Sequence, residues 1–150
     1  MLNPSCQRGL TLIELITVML VIAVFSALML PSFQAQIHKA RRSDAHQAIT
    51  LVQQSQERWR VSQPGYAASI TDLGVAANSP AGHYALSTEI EAATQASRYI
   101  VSAAASGAQA ADDLCRHLRL VIDGGQWQES SGPDTAYGND AANNRRCWNR

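Results

Sequence analysis

The sequence predicts an α+β fold, in which one long amino-terminal helix packs on a small antiparallel sheet of about four strands. The first observation is that residues 10–62 contain no Gly and a single Pro, and are rich in residues that favour helices. The second is that the rest of the chain carries short segments of alternating apolar and polar residues, separated by turn residues. One long helix followed by a run of strands is typical of this class.

The first half of the predicted helix, residues 10–30, carries a single charge, that of Glu14. At about 1.5 Å per residue, this half is long enough to span a hydrocarbon core of roughly 30 Å. A carboxylate within such a span costs on the order of 2.5–3.5 kcal/mol, so Glu14 requires a partner. The simpler interpretation is a signal anchor that tolerates one Glu near its end.

The second half of the helix, residues 31–62, is amphipathic. The apolar residues that share one helical face are Ala45, Ala48, Ile49, Val52 and Trp59. The polar residues expected on the opposite face are Arg41, Arg42, Gln47, Gln54 and Arg58, and we expect His38 and His46 to be solvated. The apolar face should pack on the sheet. Pro31 should bend the helix without ending it, and Pro64-Gly65 should end it.

The sheet is predicted within the remaining globular domain, residues 63–150. The predicted strands are residues 83–87, 98–104, 115–122 and 126–128. Leu118, Leu120 and Ile122 should share one face of their strand, and Asp123-Gly124-Gly125 is a strong hairpin signal. We expect loops at residues 63–82 and 132–144 because both are rich in polar and turn residues.

The segment Arg8-Gly9-Leu10-Thr11-Leu12-Ile13-Glu14-Leu15 resembles the processing site of type IV prepilins. The resemblance implies that a prepilin peptidase cuts after Gly9 and that the new amino terminus, Leu10, is N-methylated. Most family members have Phe where this chain has Leu10. Residues 1–9 would be the leader, which is too short and too polar to be an ordinary secretory signal peptide.

The same resemblance gives Glu14 and Pro31 their expected roles. The amine that is freed on Leu10 lies one helical turn from Glu14, so the two can pair within one chain or between neighbouring subunits. This pairing would relieve the cost of a buried charge only in the correct register, which makes Glu14 an assembly residue. Pro31 matches the helix-kinking proline that many pilins carry.

Three short motifs are similar to the globular domain of PilE-type minor pilins of type IVa systems. They are Gly82-His83-Tyr84, Gly107-Ala108-Gln109 through Asp112, and Leu114-Cys115. This resemblance implies a minor structural subunit that contributes to pilus assembly, twitching motility or adhesion. Its partners would be other pilin subunits, the membrane, the inner-membrane prepilin peptidase and the assembly machinery. The protein would cross the inner membrane once, with its globular domain outside the cytoplasm, and then join an extracellular pilus.

Two other classes share parts of this pattern. A pseudopilin of a type II secretion system has the same amino-terminal motif, and such proteins often carry a calcium loop. The candidate oxygen ligands are Asp134, Asn139, Asp140 and Asn143, but their spacing does not match an EF-hand and favours a plain polar loop. A monomeric membrane-anchored binding module would instead need Glu14 to be dispensable.

The number of cysteines fits a globular domain in an oxidising compartment. Cys6 would leave with the leader, so Cys115 and Cys147 would remain as a pair in an oxidising environment. The resemblance to pilins also implies a disulfide near the carboxyl terminus. The alternative is two free buried thiols.

Catalysis finds no support in the sequence. The four histidines, His38, His46, His83 and His117, are scattered, and none stands in a metal-ligand spacing. We therefore expect a protein that is not an enzyme and that has no cofactor and no metal.

Nucleic acid is the alternative partner, because some pilins bind DNA during natural transformation. The candidate contacts are Arg145, Arg146 and Trp148, accompanied by Arg116, Arg119, Trp127 and Arg150, a mixture of cations and aromatic rings that single strands favour. Against this, the formal net charge is zero, and Asp112, Asp113, Asp123 and Glu129 lie among them.

Overall fold

Helix α1 runs from Leu12 to Arg60, and the other elements follow it in a simple order. The computed structural model describes residues 11–150, the side chains of residues 28, 30, 31 and 32 excepted. The remaining elements are β1 (Tyr84–Glu89), β2 (Arg98–Ala105), β3 (His117–Asp123), β4 (Gln126–Gly132) and α2 (Ala141–Cys147). The chain divides into two units, residues 1–36 and residues 37–150.

The start of α1 is capped by its own side chains. The Glu14 N–H lies 3.3 Å from Thr11 Oγ1, which accepts its hydrogen bond, and the Glu14 carboxylate accepts one from the Thr11 N–H at 3.5 Å. This reciprocal pair is a capping box, for which the Thr-x-x-Glu spacing is the sequence signal. Gly9 and Leu10 lie outside the described residues, so cleavage and methylation there stay predictions.

The helical backbone continues through Pro31, so this proline does not end the helix. A bend at Pro31 stays a prediction. In the described part of the first unit, the large apolar side chains from Leu12 to Phe33 are each between 49% and 77% exposed. An apolar surface of this extent marks a region that associates with something else. No helix within the described residues has the length and apolar character that a membrane crossing requires.

The four strands form one antiparallel sheet in the order β1-β2-β3-β4. The fold class predicted from the sequence is confirmed, and the strand ends differ from the predicted ones by a few residues. The β3–β4 hairpin turns at Gly124 and Gly125, whose φ angles of 55° and 82° suit the left-handed turn that only Gly adopts easily.

The core of the second unit lies between α1 and one face of this sheet. From α1 it takes Ala45, Ala48, Ile49 and Val52, and from the sheet Tyr99, Val101, Leu118 and Leu120. Three of the sequence expectations for α1 are wrong. His38, expected in solvent, is partly buried, and its Nδ1 lies 3.1 Å from Gln109 Oε1. Arg42, expected in solvent, is only 5% exposed, and His46 packs against a tryptophan ring instead of being solvated. Trp59 is half-buried.

The sequence pattern does not predict helix α2, because most of its residues lie in the polar segment 132–144, for which a loop is expected. Its N-cap is Asp140, whose side chain accepts a hydrogen bond from the Asn143 N–H at 2.8 Å. Cys147, in its last turn, forms a disulfide with Cys115, and both residues are completely buried.

Candidate functional site

Two arginines at the end of α2 have no hydrogen-bonding or charged partner for their side chains among the described residues. Arg145 and Arg146 occupy its last turn and are exposed. Within the described residues, no hydrogen bond or ion pair engages either guanidinium group. Their charges are therefore available to an external anion.

Helix α2 is fixed in place from several directions. The disulfide ties it to Cys115, and Arg42 donates a hydrogen bond from Nη1 to the Arg146 carbonyl at 3.1 Å. On the β4 side, Asn144 donates from Nδ2 to the Glu129 carbonyl at 2.9 Å. The position of the two free arginines is thus set by the fold and not by a loose tail.

Trp148 follows α2 and also serves to hold it. Its ring is 8% exposed, stacks on His46 with centroids 5.1 Å apart, and donates from Nε1 to the Ser130 carbonyl at 3.4 Å. The sequence grouped Trp148 with the candidate DNA contacts, but this ring offers little free surface. Trp127, on β4, is 55% exposed.

The other carboxy-terminal arginines already have partners. Arg116 forms an ion pair with Asp113. Arg119 lies over the Tyr137 ring, 4.3 Å from its centroid, and Arg150 lies 2.8 Å from a Glu129 carboxylate oxygen. Arg116 and Arg150 are paired with carboxylates and Arg119 with a ring, so the residues that the sequence groups together differ in what they can bind.

One of the short sequence motifs, residues 107–112, proves to be structural in this chain. The Gln109 side chain donates from Nε2 to the Tyr84 hydroxyl at 3.1 Å and to the Asp112 carboxylate at 3.1 Å. The Asp112 carboxylate also accepts two hydrogen bonds from the Arg42 guanidinium group. Burial raises the pKa of Tyr84 to about 12, with smaller contributions from its surroundings, so its hydroxyl stays protonated and bonded. This network anchors the segment before Cys115 onto α1.

The polar side chains of the loop that precedes α2 form hydrogen bonds within the protein itself. Asp134 accepts from the Ala136 N–H at 2.9 Å, Asp140 caps α2, and Asn139 donates to the Leu114 carbonyl at 2.8 Å. Among the described residues, no group of three or more His, Cys, Asp or Glu side chains is arranged to hold a metal ion.

A second buried carboxylate, that of Asp44, fastens the loop before β1. Asp44, on α1, accepts hydrogen bonds from the Ser79 hydroxyl and from the Ala81 and His83 N–H groups. Burial alone would raise the pKa of Asp44, but these hydrogen bonds outweigh it and bring that pKa below its ordinary 3.8. Neither motif nor periodicity signals this contact.

Comparison with known families places this geometry in context. Residues 4–30 match the prokaryotic N-terminal methylation motif, and residues 31–119 match the family described as type IV minor pilin ComP, DNA uptake sequence receptor. No curated protein matches the chain significantly. With its long helix, four-stranded sheet and methylation motif, the chain is a type IV pilin.

More narrowly, the chain belongs to the type IV minor pilin ComP family. It is a structural subunit of a type IV pilus, made as a membrane-anchored prepilin, and its partners are other pilin subunits and the pilus machinery. The finer resemblance to PilE-type minor pilins stays a prediction.

Proposed function

We propose that this minor pilin is a non-catalytic DNA-binding subunit, which holds duplex DNA through phosphate contacts from Arg145 and Arg146. The observation that carries the proposal is the pair of exposed guanidinium groups without partners on a helix that the disulfide fixes. The matched family is described as a DNA uptake sequence receptor, which supports the same partner class.

The distribution of charge in the chain also supports a local binding site. The whole chain has zero formal net charge, so general electrostatic attraction to DNA is absent. Binding must then depend on cations that are free where they stand, and the other carboxy-terminal arginines are engaged with carboxylates or rings. Guanidinium groups suit phosphate because they donate two parallel hydrogen bonds.

The test measures duplex affinity of the full mature chain in detergent at several salt concentrations. The double substitution Arg145→Ala/Arg146→Ala should weaken binding for all sequences alike. It should also reduce the slope of log affinity against log salt by about 2, since each phosphate contact contributes about 1.

The matched control is Arg58→Ala/Arg98→Ala, which removes the same charge from α1 and the start of β2. This control should leave both affinity and slope near their original values. Equal losses in the two double variants would reduce the effect to net charge and refute the site on α2.

We also propose that residues 10–30 cross the inner membrane once before assembly, and that the globular domain is exported. The methylation motif and the exposed apolar side chains of α1 support this. Intact-mass spectrometry of sheared filaments should find a minor species that begins at Leu10, carries one methyl group and is two hydrogens light for the disulfide. A species retaining residues 1–9 in filaments would contradict the proposed processing.

A further inference from the structure

A cleft of about 730 Å³ lies between α1 and the β3–β4 hairpin. Its volume is within the range of about 300–1,000 Å³ that is typical of ligand sites. Much of its lining is aromatic: His46, Tyr66, Tyr99, Trp127 and Trp148. None of the sequence motifs pointed to it, because its walls come from segments that are far apart in the chain.

Four of these rings form two pairs within the lining. His46 and Trp148 are stacked, with an interplanar angle of 5°. Tyr66 and Tyr99 form a tilted pair with centroids 4.4 Å apart. On the outer wall, Trp127 is more than half exposed, which is unusual for so large a ring. Trp127 is therefore the most exposed of these rings, and such a ring favours a flat, unsaturated guest.

The charges in the cleft are balanced. Two arginines and two glutamates line it, namely Arg60, Arg150, Glu57 and Glu129. Arg150 is bound to Glu129 and covers the Trp127 ring at 4.7 Å, whereas Arg60 covers Tyr66 at 4.7 Å. The two positive and two negative charges of the lining balance, so the cleft suits an uncharged group.

One polar atom in the lining lacks a partner. His46 Nε2 is buried, and no hydrogen-bonding group in the described residues reaches it. Burial lowers the pKa of His46, against a hydrogen bond with the Cys147 backbone that raises it, so the ring is neutral at pH 7.

We propose that this cleft receives one unpaired nucleobase of the DNA that Arg145 and Arg146 hold, a step that rests on the proposed function. A nucleobase is flat and uncharged, which matches the exposed Trp127 ring and the balanced charges of the lining. The two sites are adjacent, since the Arg150 N–H donates to the Arg145 carbonyl at 2.9 Å.

The cost of taking a base out of the duplex determines which DNA the cleft should bind most tightly. Removing a base from an intact duplex costs several times the thermal energy, and the cost is least for a base that is already unpaired. Stacking on aromatic side chains returns a comparable amount for each base. The cleft should therefore discriminate in favour of mismatched, bulged or frayed DNA over perfect duplex.

The experiment measures the affinity of the full mature chain in detergent for three short duplexes. One is fully paired, one carries a bulged thymine, and one carries an abasic bulge at the same position. The thymine bulge should bind about tenfold more tightly than the abasic bulge, as one stacked base predicts. Binding of the thymine bulge should also quench Trp127 fluorescence.

Two variants separate the cleft from the phosphate site. Trp127→Leu should remove the preference for the thymine bulge and leave the abasic duplex unaffected. Trp59→Leu is the matched control, because Trp59 is also partly exposed but lies outside the cleft, and it should keep the preference. Arg145→Ala/Arg146→Ala should weaken all three duplexes by the same factor.

Several outcomes would overturn the inference. Equal affinity for the thymine and abasic bulges, or a preference that survives Trp127→Leu, would remove the cleft from DNA recognition while leaving the proposed function intact. Failure to bind any of the three duplexes would refute both. Trp127 quenching by a neutral oligosaccharide, with no preference among the DNAs, would assign the cleft to carbohydrate instead.

Discussion

Arg42 and Asp112 form a buried two-point ion pair across seventy positions of the chain. Arg42 Nε lies 2.7 Å from one carboxylate oxygen, and Nη2 lies 2.9 Å from the other. Both side chains are less than a tenth exposed. Because Arg42 also reaches the Arg146 carbonyl, this pair links α1, the segment before Cys115, and α2.

Breaking one side of the Arg42–Asp112 pair should be costly. Asp112→Ala leaves a guanidinium group buried without its partner, and we expect a loss of about 3–5 kcal/mol in the free energy of unfolding. Arg42→Ala/Asp112→Ala should lose much less than the sum of Arg42→Ala and Asp112→Ala. Chemical denaturation followed by tryptophan fluorescence measures all three, and strictly additive losses would show that the pair is not coupled.

The disulfide should stabilise both the fold and the candidate DNA site. Closing the loop between Cys115 and Cys147, which are 32 positions apart, contributes roughly 3–4 kcal/mol from chain entropy. Cys115→Ser/Cys147→Ser should lower stability by about that amount and weaken duplex binding, because α2 loses its covalent tie.

Reduction supplies the control for the disulfide experiment. Dithiothreitol should weaken DNA binding of the original chain and have no effect on the double serine variant. Unchanged binding after full reduction would show that Arg42 and Asn144 hold α2 sufficiently by themselves.

Glu14 has two candidate roles that substitutions can separate. It caps α1 through Thr11, and it is expected to guide docking by its charge. Glu14→Gln keeps a side chain that can complete the capping box but removes the charge. If charge guides docking, both Glu14→Gln and Glu14→Ala should be processed and membrane-bound but scarce in sheared filaments.

The ratio of filament to membrane protein, measured by immunoblot, checks the Glu14 prediction. Normal incorporation of Glu14→Gln together with poor incorporation of Glu14→Ala would assign the residue to helix capping alone.

Stability should fall on the acid side because of His46. Burial in the folded chain lowers the pKa of His46 below its ordinary 6.5, aided by the nearby charges of Arg42 and Arg150. The unfolded chain then binds more protons, so the stabilisation is complete above about pH 6.5 and is lost as the pH falls below it. The slope from this one group cannot exceed about 1.4 kcal/mol per pH unit.

Denaturation midpoints of the original chain and of His46→Gln, compared from pH 7.5 to pH 5, test this dependence. The difference between the two should shrink as the pH falls. A constant difference across that interval would exclude His46 as the source.

The sequence carried most of the fold but little of the site. Composition and periodicity predicted α1 and the sheet, and the alternation of Leu118, Leu120 and Ile122 correctly predicted the buried face. Such patterns report which residues avoid water, and they work wherever burial is apolar.

The errors fall where burial is polar or where stability comes from distant contacts. Arg42 looked like a solvent-facing residue because the partner that allows its burial is far along the chain. Helix α2 is short and contains Asn143 and Asn144, which are poor helix formers, so its stability comes from tertiary contacts. Only its N-cap, Asp140 before two alanines, was available as a signal.

The contacts of α2 have a consequence for subunits crowded side by side in a filament. β4 is an edge strand, and an open edge invites a neighbouring chain to add a strand. Here Asn144, Trp148 and the Asn139 N–H occupy the carbonyls of Glu129, Ser130 and Ser131. The part of the β4 edge that contains residues 129–131 is therefore closed to strand addition. This favours ordered assembly through α1 over aggregation through the sheet.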